Sequence, residues 1–243
     1  MNWSRSWLCS LVMLAPTGVA CDSDDEAPKT VMLSGTAYGF NTPNAVTGAV
    51  IRILEVPGSE ATTSADASWT LEVPAKAEVT PYITHPDHIT MHLETFDLSD
   101  SGGSDFEHVN FQMVAPDTYE LLAAVLQITP DPTRCQIAAT VSEKAIQTIS
   151  YDEFRAHGAH GVAGATVAIT PASAEVVYFN EQVIPQRNLT ETSRDGGVVW
   201  ANVPPGRYTL HATHATQTFA DVTVSCEAGR FVNANPPQGI REF

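Results

Sequence analysis

The stretch SRDGGVVWANVPPGRYTLHA, residues 193–212, carries the clearest structural pattern in the chain. Asp195-Gly196 is a hairpin-turn signal, because glycine tolerates a positive φ. Pro204-Pro205-Gly206 is a second tight turn, in which proline presets the backbone. The alternation that follows predicts a strand whose inward-facing residues are Tyr208, Leu210 and Ala212. The stretch therefore predicts short antiparallel strands joined by tight turns.

A weaker copy of this pattern occurs in the first half of the chain. The run VTGAVIRI at 46–53 matches VAGATVAI at 162–169, and WTLEVP at 69–74 corresponds to VVWANVPP at 198–205. The second copy is longer because it contains an insertion, within which VVYF at 176–179 predicts an extra or lengthened strand. The repeat indicates two similar folding units.

The predicted fold class is mainly β, with two small antiparallel β-sandwich modules joined by one helix. We expect the first module over residues 31–115, a helical linker over 116–132 and the second module over 133–238. The sequence contains 15 Gly and 16 Pro, and only 16 % of its residues are charged. This composition favours short strands with many turns over a helical bundle.

The linker contains the one helix that the sequence predicts, over residues 117–127. Asp117 is a candidate N-cap, and Glu120 could complete a capping box with it. An apolar stripe runs along the helix and consists of Tyr119, Leu122, Ala123 and Leu126. Pro130 and Pro132 follow the helix and prevent its continuation.

Residues 1–20 have the features of a secretory signal peptide, which is cleaved and takes no part in the fold. Arg5 supplies the positive charge, and the apolar stretch after it is too short to span a bilayer. Gly18-Val19-Ala20-Cys21 resembles a lipobox, whose cysteine receives a diacylglyceryl group and becomes the new N-terminus. Residues 21–30 would then form a lipidated acidic tether. The alternative is an ordinary signal peptide cleaved before the cysteine.

The charge balance excludes one class of partner. The chain has 12 Lys+Arg against 28 Asp+Glu, a formal net charge of −16. A field of this sign repels phosphate backbones, so we expect no nucleic-acid partner.

Two cysteines remain after the N-terminal region, Cys135 and Cys226. Each lies on the apolar face of a predicted strand, and an exported protein folds in an oxidising compartment. We therefore expect a buried disulfide between the first and last strands of the second module. Its reduction would destabilise that module alone. Two unpaired buried thiols are the alternative.

The second half resembles the carboxypeptidase regulatory-like domain, a prealbumin-like β-sandwich. The resemblance rests on GVAGATVAI at 161–169, on SRDGGVVWANVPPGRYTLHA at 193–212, and on Val222-Thr223-Val224 with Ala228-Gly229 near the end of the domain. It covers about residues 133–236 and extends less closely to 31–98, where Ala67 replaces the turn glycine. The resemblance implies an accessory or binding module without catalytic activity.

Histidines are the candidate metal ligands. Three pairs have the spacing HxxH, and the pair at 211 and 214 falls on a predicted strand, where residues three apart point to opposite faces. The other two pairs lie in predicted loops, where the spacing allows a shared site, so the candidate ligands are His85, His88, His157 and His160. The alternative is that these are surface histidines that bind no metal.

No motif predicts an enzyme: GxSxG and HExxH are both absent from the sequence. We expect a non-catalytic lipoprotein of the bacterial cell envelope that faces the periplasm or the cell surface, with no cofactor. It would bind or scaffold an envelope protein or glycan and contact the membrane through its lipid anchor. One alternative is a periplasmic metal-binding protein that uses the loop histidines. Another is a small hydrolase, which requires two carboxylates or a Ser–His pair to converge in a cleft.

Overall fold

The computed structural model describes residues 29–99 and 104–243 of the chain. The predicted signal peptide, the lipidation site Cys21 and most of the tether lie outside the described residues. Within the described residues, neither helix has the length and hydropathy needed to cross a lipid bilayer.

Among the described residues, the first half contains nine strands followed by a helix. The strands are β1 Thr30–Gly39, β2 Val50–Ile53, β3 Val56–Thr62, β4 Ser68–Pro74, β5 Glu78–Val79, β6 Pro81–His85, β7 His88–His92, β8 Phe96–Asp97 and β9 Phe111–Met113. The helix is α1 Pro116–Leu126.

The second half contains nine more strands, a second α-helix and one turn of 3₁₀ helix. The strands are β10 Cys135–Ser142, β11 Thr166–Thr170, β12 Val176–Phe179, β13 Pro185–Gln186, β14 Gly197–Val203, β15 Gly206–Thr213, β16 Val222–Cys226, β17 Phe231–Ala234 and β18 Ile240–Arg241. The helices are the 3₁₀ turn Lys144–Ile146 and α2 Tyr151–His157. Strand β12 confirms the extra strand predicted inside the insertion.

The described strands form one long sheet and smaller sheets that pack on it. The long sheet has ten strands in the order β13-β12-β14-β10-β17-β7-β6-β2-β3, with β18 paired to β10. The smaller three-stranded sheets are β4-β1-β9 and β11-β15-β16. One apolar core lies between each small sheet and its half of the long sheet, with Trp69 in the first core and Trp200 in the second.

The expectation of two purely antiparallel modules joined only by a helix is met in part. The fold is mainly β with two cores, but the sheets are mixed, because β17 runs parallel to both β10 and β7. Strand β17 thereby continues one sheet across both halves, and its Phe231 packs in the first core. Residues 231–234 and 88–92 are far apart in sequence, so no local pattern signals this pairing.

Helix α1 confirms the predicted helix with a shift of one residue at each end. The predicted cap is wrong: the N-cap is Ala115, no side chain caps the helix, and Asp117 lies inside the first turn. Pro116 at the first helical position has no N–H that needs a partner, so the helix begins without a capping side chain. The helix ends at Leu126, and its C-cap Gln127 adopts the left-handed conformation.

The disulfide between Cys135 and Cys226 is present, with a Cα–Cα distance of 5.8 Å. Both cysteines are buried, as the alternation of their strands predicts. The bridge joins β10 of the long sheet to β16 of the small sheet across the second core. Cys226 is not in the last strand, because β17 and β18 follow it.

Candidate ligand-binding cleft

The second half of the long sheet has one face in the core and one face that is covered only in part. Successive side chains of a strand point to opposite faces, so the core residue Ile137 alternates with Gln136 and Ala138 on the other face. Helix α1 covers part of that face, where Leu126 packs with Val177, Phe179 and Val199. Beside the helix the face opens into a cleft.

The cleft has a volume of about 540 Å³, which is the size of a small-molecule site. Its floor consists of residues from β10, β14 and β17. One wall is α1, another is α2 with the loop at 158–160, and the turn at 40–43 closes one side. The aromatic residues that line it are Phe40, Tyr119, Tyr151, Phe154, Phe179 and Phe231.

Helix α2, which the sequence analysis missed, positions two of these rings. The Ser150 hydroxyl accepts a hydrogen bond from the Glu153 backbone N–H (3.3 Å), and the Glu153 carboxylate accepts one from the Ser150 N–H (2.8 Å). This is a capping box, and the spacing S-x-x-E at 150–153 was the signal that could have revealed the helix. Tyr151 stacks on Tyr38 of the first half with ring centroids 3.9 Å apart, which fixes α2 against both halves.

The amide side chains at the cleft differ in their hydrogen bonding. Gln136 donates to the Asn202 side chain (3.0 Å) and accepts from the Asn202 backbone N–H (2.9 Å), so it is engaged inside the protein. The Asn235 amide nitrogen donates to the carbonyl oxygens of Asn110 and Pro236.

Asn233 is different, because its side-chain amide has no hydrogen-bond partner among the described residues. It is 6 % exposed and lines the cleft. Its amide atoms are not among the buried side-chain atoms that lack a hydrogen-bond partner, whereas Asn235 Oδ1, also at the cleft, is one of them. Asn233 is therefore the amide of the cleft whose donor and acceptor a ligand can reach.

The charged groups at the cleft are acidic. Glu181 and Asp195 line it together with His160, and none of the described lining residues is Lys or Arg. Burial raises the pKa of the Asp195 carboxyl, an effect that His160 and the Gly197 backbone N–H oppose. The predicted Asp195-Gly196 turn is confirmed, since Gly196 has a φ of 78°.

Two carboxylates therefore line the same cleft, although Glu181 is not among the groups that shift the pKa of Asp195. Asp195 is held in its turn, because its Oδ2 accepts the Gly197 N–H at 3.1 Å. Glu181 is exposed to solvent.

Of the predicted metal ligands, His85 and His88 are brought together. They face each other across the turn between β6 and β7, with their Nδ1 atoms 3.1 Å apart. The Asp87 backbone N–H also donates to His85 Nδ1, at 3.2 Å. Desolvation lowers the pKa of His88, and His85 lowers it further.

His157 and His160 have separate partners. His157 Nε2 lies 2.6 Å from a Glu143 carboxylate oxygen, whereas His160 Nδ1 lies 2.9 Å from the Gly158 carbonyl oxygen. The His160 ring packs on Phe154 at a centroid distance of 4.5 Å. Within residues 29–99 and 104–243, no three His, Cys, Asp or Glu side chains are grouped to hold a metal ion.

No protein-family model matches the sequence, and no curated protein matches it either. The chain is similar in structure to the TIE protein of Bacillus anthracis, at 14 % identity and a TM-score of 0.28 over 88 % of this chain and 34 % of that one. The chain thus spans about a third of the length of the TIE protein.

Two further solved structures are similar to part or most of the chain. The minor pilin of Streptococcus agalactiae is 10 % identical, with a TM-score of 0.25 over 87 % of this chain and 95 % of that one. A type II cohesin–X-dockerin complex from Acetivibrio cellulolyticus is 11 % identical, with a TM-score of 0.30 over 47 % and 79 %. The similarity to these bacterial β-sandwich proteins is distant, assigns no family and carries no argument about function. The carboxypeptidase regulatory-like assignment of residues 133–238 stays a prediction.

The sequence did not reveal the cleft as a site. Its open amide, Asn233, lies in a strand that the repeat does not include, and its aromatic wall depends on the unrecognised helix α2. Of the predicted site residues that the structure describes, His160 alone lines the cleft.

Proposed function

We propose that the chain is a non-catalytic, lipid-anchored binding protein of the bacterial cell envelope, and that the cleft is its binding site. The observation that carries the proposal is a ligand-sized cleft lined by aromatic rings and by the unpartnered amide of Asn233. The buried Cys135–Cys226 disulfide supports an extracytoplasmic location, because such bonds persist in oxidising compartments.

The anchor is proposed at Cys21, on the lipobox resemblance alone. Cells that express the full chain would be labelled with radioactive palmitate, and the protein would be isolated and counted. We expect label in the wild type and in Cys9→Ser, because Cys9 leaves with the signal peptide, and none in Cys21→Ser. Label that persists in Cys21→Ser would refute the anchor without affecting the cleft.

Binding through the cleft is tested with protein-free envelope material. The purified protein is mixed with cell walls stripped of protein, and the fraction that sediments with them is measured. Ala138→Phe fills the cleft from its floor, whereas Ala168→Phe places the same ring on an exposed position of β11 and serves as the matched control. We expect sedimentation of the wild type and the control, and its loss in Ala138→Phe. Equal sedimentation of all three proteins would exclude the cleft as the binding site.

A second candidate function, binding of a transition-metal ion, is supported by the pair His85 and His88. Two nitrogens bound to one tetrahedral Zn²⁺ at 2.0–2.1 Å lie about 3.3 Å apart. The observed Nδ1–Nδ1 separation of 3.1 Å is close to that value, and the proton between the rings is the one that a metal would replace. The pair supplies only two ligands, so water would complete the coordination.

Calorimetric titration with Zn²⁺ and Cu²⁺ tests the second candidate. We expect binding that His85→Ala and His88→Ala each abolish and that the control pair His157→Ala/His160→Ala leaves unchanged. Heat that disappears only in the control pair, or no binding to the wild type, would refute the His85–His88 site.

A further inference from the structure

The geometry points to a neutral oligosaccharide as the ligand of the cleft. This inference rests on the proposed binding function and names its ligand class. Three features of the described residues carry it: the charge of the lining, the open amide and the arrangement of the aromatic rings.

The charge of the lining disfavours anionic ligands. Glu181 and Asp195 are the charged groups of the lining, and no Lys or Arg of the described residues offsets them there. The chain as a whole carries a formal charge of −16. A ligand with a phosphate, sulfate or carboxylate group would lose its hydration and meet repulsion without gaining a cationic partner. A neutral ligand avoids both costs.

The amide of Asn233 matches the hydrogen-bonding pattern of a sugar. Its oxygen accepts and its nitrogen donates, so it presents both functions in one plane. Two neighbouring hydroxyl groups on a sugar ring can satisfy both functions at once, since each hydroxyl both donates and accepts. Because Asn233 is 6 % exposed and has no partner among the described residues, such a contact would satisfy a group that the protein leaves open.

The aromatic wall supplies the second part of sugar recognition. Tyr151 and Phe154 of α2 line the cleft, and the stacking of Tyr38 on Tyr151 holds that wall in place. The C–H-bearing face of a sugar ring is apolar and packs on the face of an aromatic ring, where the ring quadrupole places negative charge. The cleft therefore combines a polar group at its floor with aromatic rings at its wall, which are the two kinds of contact that a sugar ring uses.

An extended peptide is a weaker fit, because the floor of the cleft offers no free strand edge. Strand β14 lies between β12 and β10, β10 between β14 and β17, and β17 between β10 and β7. Peptides that bind to sheets add as a strand at an exposed edge and use main-chain hydrogen bonds. In this cleft the peptide groups of an extended ligand would have only side chains as partners.

The inference is tested by titration of the full chain with two panels of trisaccharides. The neutral panel contains maltotriose, cellotriose and N-acetylchitotriose, and the acidic panel contains trigalacturonate and sialyllactose. We expect saturable binding of at least one neutral sugar, and binding at least tenfold weaker for every acidic one. The variants are Asn233→Ala and Phe154→Ala, with the exposed Asn188→Ala as control. We expect each of the first two to weaken binding at least tenfold and the control to leave it unchanged.

If Asn233→Ala proves unstable, Phe154→Ala keeps the test decisive, because Phe154 lies on a different element and is only partly buried. Failure of every neutral sugar to bind, or tighter binding of an acidic sugar, would overturn the ligand class. If the cell-wall sedimentation still depends on Ala138, the proposed binding function survives that failure. New reducing ends in the titration mixture would show that Glu181 and Asp195 hydrolyse the sugar, which would overturn the non-catalytic proposal instead.

Discussion

Loss of the Cys135–Cys226 disulfide should destabilise both halves of the protein together. Considered alone, the sequence predicts that only the second module depends on the bridge. In the structure, β10 carries Cys135 and pairs with β17, and β17 also pairs with β7 of the first half. Because one strand belongs to both halves, unfolding of the second core removes a neighbour of the first.

The magnitude follows from the loop that the bridge closes. The two cysteines are separated by 91 positions, and the chain-entropy treatment gives about 4.6 kcal/mol at 25 °C for a loop of that length. For a chain of this size, 1 kcal/mol shifts the melting temperature by about 2–4 °C. We therefore expect reduction to lower the melting temperature by about 9–18 °C.

Tryptophan fluorescence can follow the two halves separately. Trp69 is 3 % exposed in the first core and Trp200 is 1 % exposed in the second, so Trp200→Phe and Trp69→Phe each leave a reporter in one half. Both variants would be melted with and without reductant, in a background with Cys9→Ser and Cys21→Ser in which Trp3→Phe and Trp7→Phe remove the two tryptophans of the N-terminal region. We expect the two reporters to give the same transition and to shift by the same amount. A shift of the Trp200 signal with an unchanged Trp69 signal would show that the halves unfold independently and would refute the argument from β17.

Three further predictions concern buried charge, helix capping and close packing. Burial raises the pKa of Glu94 to about 7 from 4.5, so the contribution of this carboxyl group to stability is complete below pH 4.5 and is lost as the pH rises through 7. Glu94→Gln should therefore raise the free energy of unfolding at pH 8 by about 3 kcal/mol in urea titrations. No gain over the wild type would contradict this. Burial lowers the pKa of His92 to about 4 from 6.5, so the same Gln variant should still lose stability as the pH falls from 6.5 to 4. Ser150→Ala removes the capping box and should cost about 1 kcal/mol, with faster amide hydrogen exchange in α2; unchanged exchange there would show that the box does not hold the helix. Gly161→Ala would place a Cβ 2.2 Å from the Gly196 backbone nitrogen and should lower the free energy of unfolding by about 3 kcal/mol, measured by thermal melting. In the control Gly206→Ala the Cβ would lie 3.5 Å from its nearest neighbour, and the loss should be less than about 1 kcal/mol. Equal losses of stability in the two variants would refute the packing argument.

Local sequence determined the strands, the turns and the sidedness of the second half. Tyr208, Leu210 and Ala212 are all buried, as their alternation predicts, because the two-residue period of a strand is a property of the backbone itself. The same reasoning placed Cys135 and Cys226 on buried faces and so predicted their bridge. It also predicted helix α1 to within one residue, because an apolar stripe followed by prolines is a local signal.

The pairing of His85 with His88 was only partly predictable. The spacing HxxH in a loop allowed a shared site, and the tight turn between β6 and β7 brings the two Nδ1 atoms to 3.1 Å. The same spacing at His157 and His160 gave no such pair, because His157 ends helix α2 and turns to Glu143. Spacing alone does not specify the backbone path between two residues.

The sequence by itself therefore determined which residues form strands and which faces of those strands are apolar. Only the tertiary structure decided how the two halves join and where a ligand can bind. Strand β17 pairs with strands that come from both halves, and the register of such long-range pairs depends on the whole core rather than on neighbouring residues. The cleft exists because helix α1 covers the outer face of the long sheet only in part, which leaves Asn233 at the floor of a cleft that the rings of α2 also line. No pattern within a single segment encodes that space, because its walls come from segments that meet only when the chain is folded.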